Sequence, residues 1–143
     1  MADVAKVEVK AFVEAAHGDL PEVQRMLAES PGLLEMPNGN ETALGAACQM
    51  RRPDIIEFLL TQGETLDLSA ACVLGLTDKV AAFLDADPAS LNRGNKKAHN
   101  KHPLYFAEHQ PGILQLLRSR GPNDQAPPRG AALNRSSLRA AGA

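Results

Sequence analysis

The side chains of this chain that could do chemistry are four histidines and two cysteines. His99 and His102 are three residues apart, a spacing that can bring two imidazoles to one metal ion. They lie beside Lys96, Lys97 and Lys101, whose positive charges would repel such an ion, and no cysteine or carboxylate is close to them in sequence. We therefore predict neither a metal site nor a bound cofactor.

Catalytic motifs are also missing from the sequence. No glycine-rich phosphate loop and no G-x-S-x-G elbow is present. Cys48 and Cys72 each follow two small residues, and their spacing suits neither a metal nor a redox pair, which predicts small buried side chains. Asp85 and Asp87 close a helix and are more simply explained as hydrated carboxylates. The expectation is that the protein is not an enzyme.

Composition restricts the class of protein and of partner. A chain of 143 residues with 44% apolar residues, 3% aromatics and no Trp predicts one domain with an aliphatic core. A net charge of −2 argues against nonspecific nucleic-acid binding. No apolar run is long enough for a membrane span, and the first ten residues do not resemble a secretory signal. We expect a cytoplasmic protein that binds neither nucleic acid nor membrane.

A repeated helical pattern determines where the candidate residues lie in the fold. Leu84 follows Leu27 by 57 residues, and Leu117 follows Leu59 by 58 residues. Prolines and glycines near these leucines recur at the same distances. Such self-similarity is typical of stacked helical repeats. The sequence therefore predicts an all-α solenoid of four helix-turn-helix repeats, arranged as a pair of repeats that is copied once.

The predicted boundaries follow from helix caps and from prolines. Asp19 and Thr42 are suitable N-caps, and the first inner helix is expected from Ala11 to His17. The fourth inner helix is expected from about His102 to His109. The predicted segments are a lead-in at 1–10, repeats at about 11–35, 36–64, 65–91 and 92–122, and a flexible Ala-, Pro- and Arg-containing tail at 123–143.

Two turn-rich loops precede inner helices, at residues 36–41 and 93–101, and we call them the first and second finger loops. The third repeat has no such loop, because residues 63–65 lead almost directly into its inner helix. A continuous, evenly spaced row of loops is therefore not expected.

The repeats resemble those of the ankyrin-repeat family, most closely small stand-alone bacterial proteins. The run T-A-L-G-A-A at 42–47 is similar to the family signature T-P-L-H-x-A without its Pro and His, and H-P-L-Y-F-A at 102–107 keeps the Pro and Leu. Asn40 and Asn100 stand where the family has a turn glycine, so we expect both to tolerate a positive φ. The resemblance covers about residues 10–122 and implies paired antiparallel helices with a concave, protein-binding face.

The two finger loops differ in charge. The first contains Glu41 and follows Glu35, whereas the second contains four cations and no acid. If both loops face one groove, that groove is dipolar, and complementary charge would orient a protein partner. Tyr105 is either an interface anchor in this groove or a residue packed within the stack. The predicted partner-binding residues are Met36, Asn38, Glu41, Gln49, Arg93, Lys96, Lys97, His99, Lys101, Tyr105 and His109.

We thus predict a noncatalytic protein-protein interaction module that is a monomer and whose partner is not encoded in the sequence. The alternative is a structural or self-associating protein, in which the arginine-containing tail docks on the acidic half of the groove.

Overall fold

The computed structural model describes residues 5–121, and within that range the chain is all-α. No strand forms there, although three isolated β-bridges connect residues of the loops. The arginine-containing tail and the first residues of the lead-in lie outside the described residues. The helices are α1 (Lys6–Ala15), α2 (Leu20–Glu29), α3 (Ala43–Gln49), α4 (Pro53–Thr61), α5 (Leu68–Leu74), α6 (Thr77–Ala86), α7 (Pro103–Phe106) and α8 (Pro111–Ser119), with 3-10 turns at Pro31–Leu33 and Pro88–Asn92.

The predicted caps are present where the sequence placed them. The Asp19 carboxylate accepts a hydrogen bond from the Glu22 amide at 3.2 Å. The Thr42 hydroxyl accepts one from the Gly45 amide at 3.1 Å, and Asp67 caps α5 in the same way. Such caps satisfy amides that the first helical turn leaves free.

Two predicted helix boundaries are wrong. Helix α1 begins at Lys6 rather than near Ala11, and it ends at Ala15. Val9 is buried, so the apolar face of α1 extends further towards the N-terminus than the sequence reading assumed. Helix α7 ends at Phe106 rather than near His109, and the chain continues as turns.

The helices pack in two layers of consecutive pairs. Each odd-numbered helix contacts the even-numbered helix that follows it, and α1, α3, α5 and α7 also contact one another in that order. In the second layer α2 packs on α4 and α6 packs on α8, whereas α4 packs on α5. The short connection before α5 thus brings the two halves of the chain together through an inner helix.

The core is aliphatic and continuous across these layers. Its largest fully buried side chains include Phe12, Phe106, Ile56 and Leu117, from the first, second and last pairs. Cys48 and Cys72 are buried free thiols, as the small-residue runs predicted. Burial raises the pKa of Cys72 to about 12. Close packing of small residues lets the inner helices approach each other.

Gly45 permits the closest approach in the fold. It lies in α3, and a Cβ atom built on it would stand 1.8 Å from the carbonyl oxygen of Lys97 in the second finger loop. That same carbonyl accepts a hydrogen bond from the Thr42 amide at 3.0 Å. A residue without a side chain is therefore required for the second finger loop to lie against the start of α3.

We predict that Gly45→Ala destabilises the protein by about 1–3 kcal/mol, the usual cost of overpacking. The loop backbone must move, and this loss outweighs the helix propensity of alanine. The measurement is urea unfolding followed by circular dichroism.

Gly112→Ala is the matched control, because a Cβ at Gly112 in α8 would meet no atom within 4 Å. The control should be neutral or more stable by up to about 1 kcal/mol. Equal stability of the two variants would contradict the seating of the loop at Gly45.

Candidate functional site

The two finger loops form one continuous structure. The first is closed by a hydrogen bond from the Asn38 amide to the Glu41 carbonyl at 2.7 Å. The second is closed by a hydrogen bond from the Asn95 amide to the Lys101 carbonyl at 2.9 Å. The His99 amide donates to the Asn40 carbonyl at 3.0 Å and joins one loop to the other. The loop missing from the third repeat therefore leaves no gap between them.

Positive φ angles support this arrangement. Asn100 has φ of 60°, as predicted, and the neighbouring His99 has φ of 54°. Asn40 does not adopt a positive φ; Gly39, with φ of 64°, makes the turn of the first finger loop instead. The positive φ thus falls on the asparagine in the second finger loop and on the preceding glycine in the first.

Glu41 lies at the centre of the joined loops and is buried, with 7% of its surface exposed. Its carboxylate contacts His17 Nε2 at 2.9 Å and His99 Nε2 at 3.4 Å, and it accepts a hydrogen bond from the Gln49 amide. The sequence placed this residue on an exposed acidic loop. The predicted acidic half of the groove is instead a buried carboxylate that connects the turn after α1, helix α3 and both loops.

The imidazole of His17 bridges the backbone of helix α1 and the Glu41 carboxylate. Its Nδ1 atom lies 3.0 Å from the Val13 carbonyl oxygen, and its Nε2 atom faces Glu41. The ring is therefore held from both sides.

Tyr105 packs within the stack, which was one of the two readings of the sequence. Its hydroxyl donates to the Gln49 carbonyl at 3.1 Å, and its ring stands edge-to-face against Phe106 with 5.2 Å between centroids. The guanidinium of Arg51 lies 4.4 Å from the ring centroid and the Lys101 ammonium lies 5.0 Å from it. The ring is partly buried between two cations.

Arg51 and His17 also contribute contacts here, although neither was among the predicted site residues. Arg51 donates to the Tyr105 carbonyl at 2.7 Å and pairs with Glu108 at 2.6 Å, so it connects α3 to α7. It also has φ of 53°, which is uncommon for a non-glycine residue. No local sequence signal marks Arg51, because its partners lie more than fifty residues away in the chain.

The remaining predicted residues differ in exposure and in partners. Arg93 is exposed but forms an ion pair with Asp87 at 2.7 Å. Lys96 and Lys97 are exposed on the second finger loop. The structure brings together five predicted residues, namely Glu41, Gln49, His99, Lys101 and Tyr105. Met36 and His109 are solvent-exposed, and Asn38 is partly buried in the first loop.

A cavity of about 350 Å³ opens on the other side of the second finger loop. Leu68 and Pro103 form apolar parts of its wall, and Lys96 and Lys97 stand at the loop side. Ser90 also lines it, and the Ser90 Oγ atom is buried without a hydrogen-bond partner in the described part of the chain. Among the residues that line the cavity, only Arg93, Lys96 and Lys97 were predicted as site residues.

Asp67 is a wall residue of the cavity, and burial raises its pKa above the usual range for an aspartate. The amides of Ala70 and Asn95 and the charge of Lys97 act in the opposite direction but do not cancel the effect of burial. The cavity thus contains a desolvated carboxyl group next to an exposed basic loop.

Among residues 5–121, no group of three or more His, Cys, Asp or Glu side chains could hold a metal ion. No helix in that same range is long and apolar enough to span a membrane.

Comparison with known proteins adds no assignment. No protein-family model, no curated protein and no solved structure matches the chain.

We predict that Glu41→Ala destabilises the protein by about 1–3 kcal/mol, because His17, Gln49 and His99 lose their shared acceptor. Urea unfolding gives the free energy. In a double-mutant cycle, His17→Ala should cost less when Glu41 is already alanine. Glu35→Ala, which removes an exposed carboxylate just before the same loop, should change stability by no more than about 0.5 kcal/mol. Equal effects of the two glutamate variants would contradict the central role of Glu41.

A second prediction concerns pH. Because the folded chain raises the pKa of Asp67, the stability that this group contributes is complete below the ordinary aspartate pKa of about 3.9 and is lost as the pH rises through the folded pKa. Asp67→Asn keeps an acceptor for the cap of α5 but does not ionise. The variant should therefore gain stability relative to the natural protein between pH 3 and pH 7, measured by urea unfolding.

Asp54→Asn is the control of opposite sign. The Arg52 guanidinium that hydrogen-bonds Asp54 lowers the pKa of that carboxyl, so its stabilisation is present at neutral pH and is lost as the pH falls through the folded pKa. This variant should lose stability relative to the natural protein over the same interval. Parallel pH profiles for the two variants would contradict the assignment for Asp67.

Proposed function

We propose that the chain is an ankyrin-like solenoid of four repeats that acts as a noncatalytic protein-interaction module. Its partner presents an acidic segment to the second finger loop. One observation carries this proposal: within residues 5–121, the ammonium groups of Lys96, Lys97 and Lys101 lie within 4 Å of no carboxylate although they share one loop.

Most arginines of the described surface differ from these lysines, because a nearby acid neutralises them: Arg25, Arg51, Arg52, Arg93 and Arg120 all form ion pairs. Lys97 is close enough to Glu64 and Asp67 to influence their pKa values, but it contacts neither carboxylate. The exposed cations Lys6, Lys79 and Arg118 form no ion pair within residues 5–121 either, but each lies on a different helix. Three such cations on one loop offer complementary charge to an acidic partner.

The loop that carries these lysines is also fixed in shape. Its backbone is hydrogen-bonded to Thr42 and Asn40, and it lies against Gly45. A surface that is already ordered loses little conformational entropy on binding, which favours affinity. The exposed lysines therefore stand on a hydrogen-bonded backbone, so the loop can recognise charge at a defined place.

The alternative function stays a prediction. Docking of the arginine-containing tail requires an acidic groove, and Glu41 offers little to such a tail because its carboxylate is buried and bound to two histidines and Gln49. The lysines of the second finger loop would repel the arginines. The cytoplasmic location and the monomeric state also stay predictions.

The experiment compares three baits in affinity capture from the native cell with mass spectrometry. They are the natural chain, the reversal variant Lys96→Glu/Lys97→Glu/Lys101→Glu, and a control with the same change of net charge at the exposed Lys6, Lys79 and Arg118. A specific partner should be captured by the natural and control baits and lost from the reversal bait. Titration calorimetry should then show affinity falling about tenfold or more on reversal and falling as salt rises.

Capture that is equal for all three baits, or an affinity that does not change with salt, would contradict this use of the loop. Capture that disappears after nuclease treatment would show that the lysines bind nucleic acid and not an acidic protein.

A further inference from the structure

The cavity beside the second finger loop exists because the third repeat has no finger loop of its own. The chain passes from α4 to α5 through residues 62–67, so nothing from this repeat fills the space beside the second loop. The second loop leans towards α3 instead, where the Lys97 carbonyl meets Thr42. The space that this displacement leaves, about 350 Å³, is within the usual range for ligand pockets.

The groups around the cavity define what could occupy it. Leu68 and Pro103 supply apolar wall, while the Ser90 hydroxyl is buried and lacks a partner among residues 5–121. A buried hydroxyl without a hydrogen bond is unfavourable, and a ligand that supplies one would remove that cost. Ser69, by contrast, already accepts a hydrogen bond from Asn95 at 2.8 Å.

The charged residues around the cavity favour an uncharged side chain as its occupant. An acidic side chain inside the cavity would meet the carboxyl group of Asp67, and a basic one would pass Lys96 and Lys97 at the loop side. An uncharged side chain avoids both conflicts. Acidic neighbours of that side chain would meet the two lysines outside the cavity.

We propose that this cavity receives one uncharged anchor side chain of the protein partner, from a short segment in which acidic residues flank the anchor. The proposal rests on the proposed function and adds to it a specific pocket and a sequence pattern for the partner. The lysines attract the segment, the apolar wall buries the anchor, and Ser90 donates a hydrogen bond to a carbonyl of the segment.

The test selects ligands from a phage-displayed library of random 12-residue peptides on the immobilised full chain. The expected result is enrichment of peptides in which acidic residues flank one apolar residue. Enrichment of basic peptides, or of peptides without acidic residues, would overturn the proposal.

Variants then locate the binding site of a selected peptide by fluorescence polarisation. Leu68→Trp fills the cavity and should weaken binding about tenfold or more, as should replacement of the peptide's anchor by alanine. Ser90→Ala should weaken it about threefold to tenfold, the effect of one hydrogen bond. Lys79→Glu on α6 is the control and should have no effect. Circular dichroism checks that each variant is folded. If Leu68→Trp does not fold, Ser90→Ala still tests the cavity, because it is a smaller change.

The two proposals fail separately. In one outcome Lys96→Glu/Lys97→Glu weakens peptide binding, while Leu68→Trp, Ser90→Ala and the alanine anchor do not. The pocket proposal is then wrong, but the proposal that the basic loop binds an acidic partner still stands. If the peptide binds the cavity but the bait experiment shows a partner indifferent to the loop lysines, the proposed function is wrong.

Discussion

The contact between the Gly45 backbone and the Lys97 carbonyl is the constraint on which the rest of this face depends. It exists only because position 45 has no side chain. From it follow the hydrogen bond to Thr42, the joining of the two finger loops through His99 and Asn40, and the burial of Glu41 between them. The same loop also lines the cavity beside Asp67. One loop thus contributes to both the closed centre of the face and the open space at its side.

The sequence predicted the helices and helix caps, because these features depend on residues that are close together in the chain. The pairing of helices follows from the spacing of apolar residues, and the caps at Asp19 and Thr42 follow from residues a few positions apart. The eight predicted helices and both caps are present within residues 5–121. The environment of Glu41 could not be predicted in this way. Its partners come from the turn after α1, from α3 and from a loop more than fifty residues later. Charge counted along one loop cannot show that a carboxylate is turned inward.

Gly45 and Tyr105 occupy equivalent positions of α3 and α7, since each stands third after the cap residue of its helix. The glycine admits a neighbouring loop, and the tyrosine fills space and reaches the Gln49 carbonyl. The two residues are complementary, since one makes room for the second finger loop and the other fastens α7 to the end of α3. The two finger loops also differ in charge: the Glu41 carboxylate of the first is buried, whereas the lysines of the second are exposed.

The bonds from Arg51 to Tyr105 and Glu108 and from Tyr105 to Gln49 join residues 54, 57 and 56 positions apart, and they bypass α5 and α6. Repeat proteins with only nearest-neighbour contacts can lose their terminal units one at a time. Here α7 and the turn after it are bonded to the end of α3, so they cannot detach without breaking contacts in the middle of the chain. Longer loops must also close before these bonds form, which raises the contact order and slows folding relative to a regular solenoid of this size. The protein should therefore unfold as one cooperative unit.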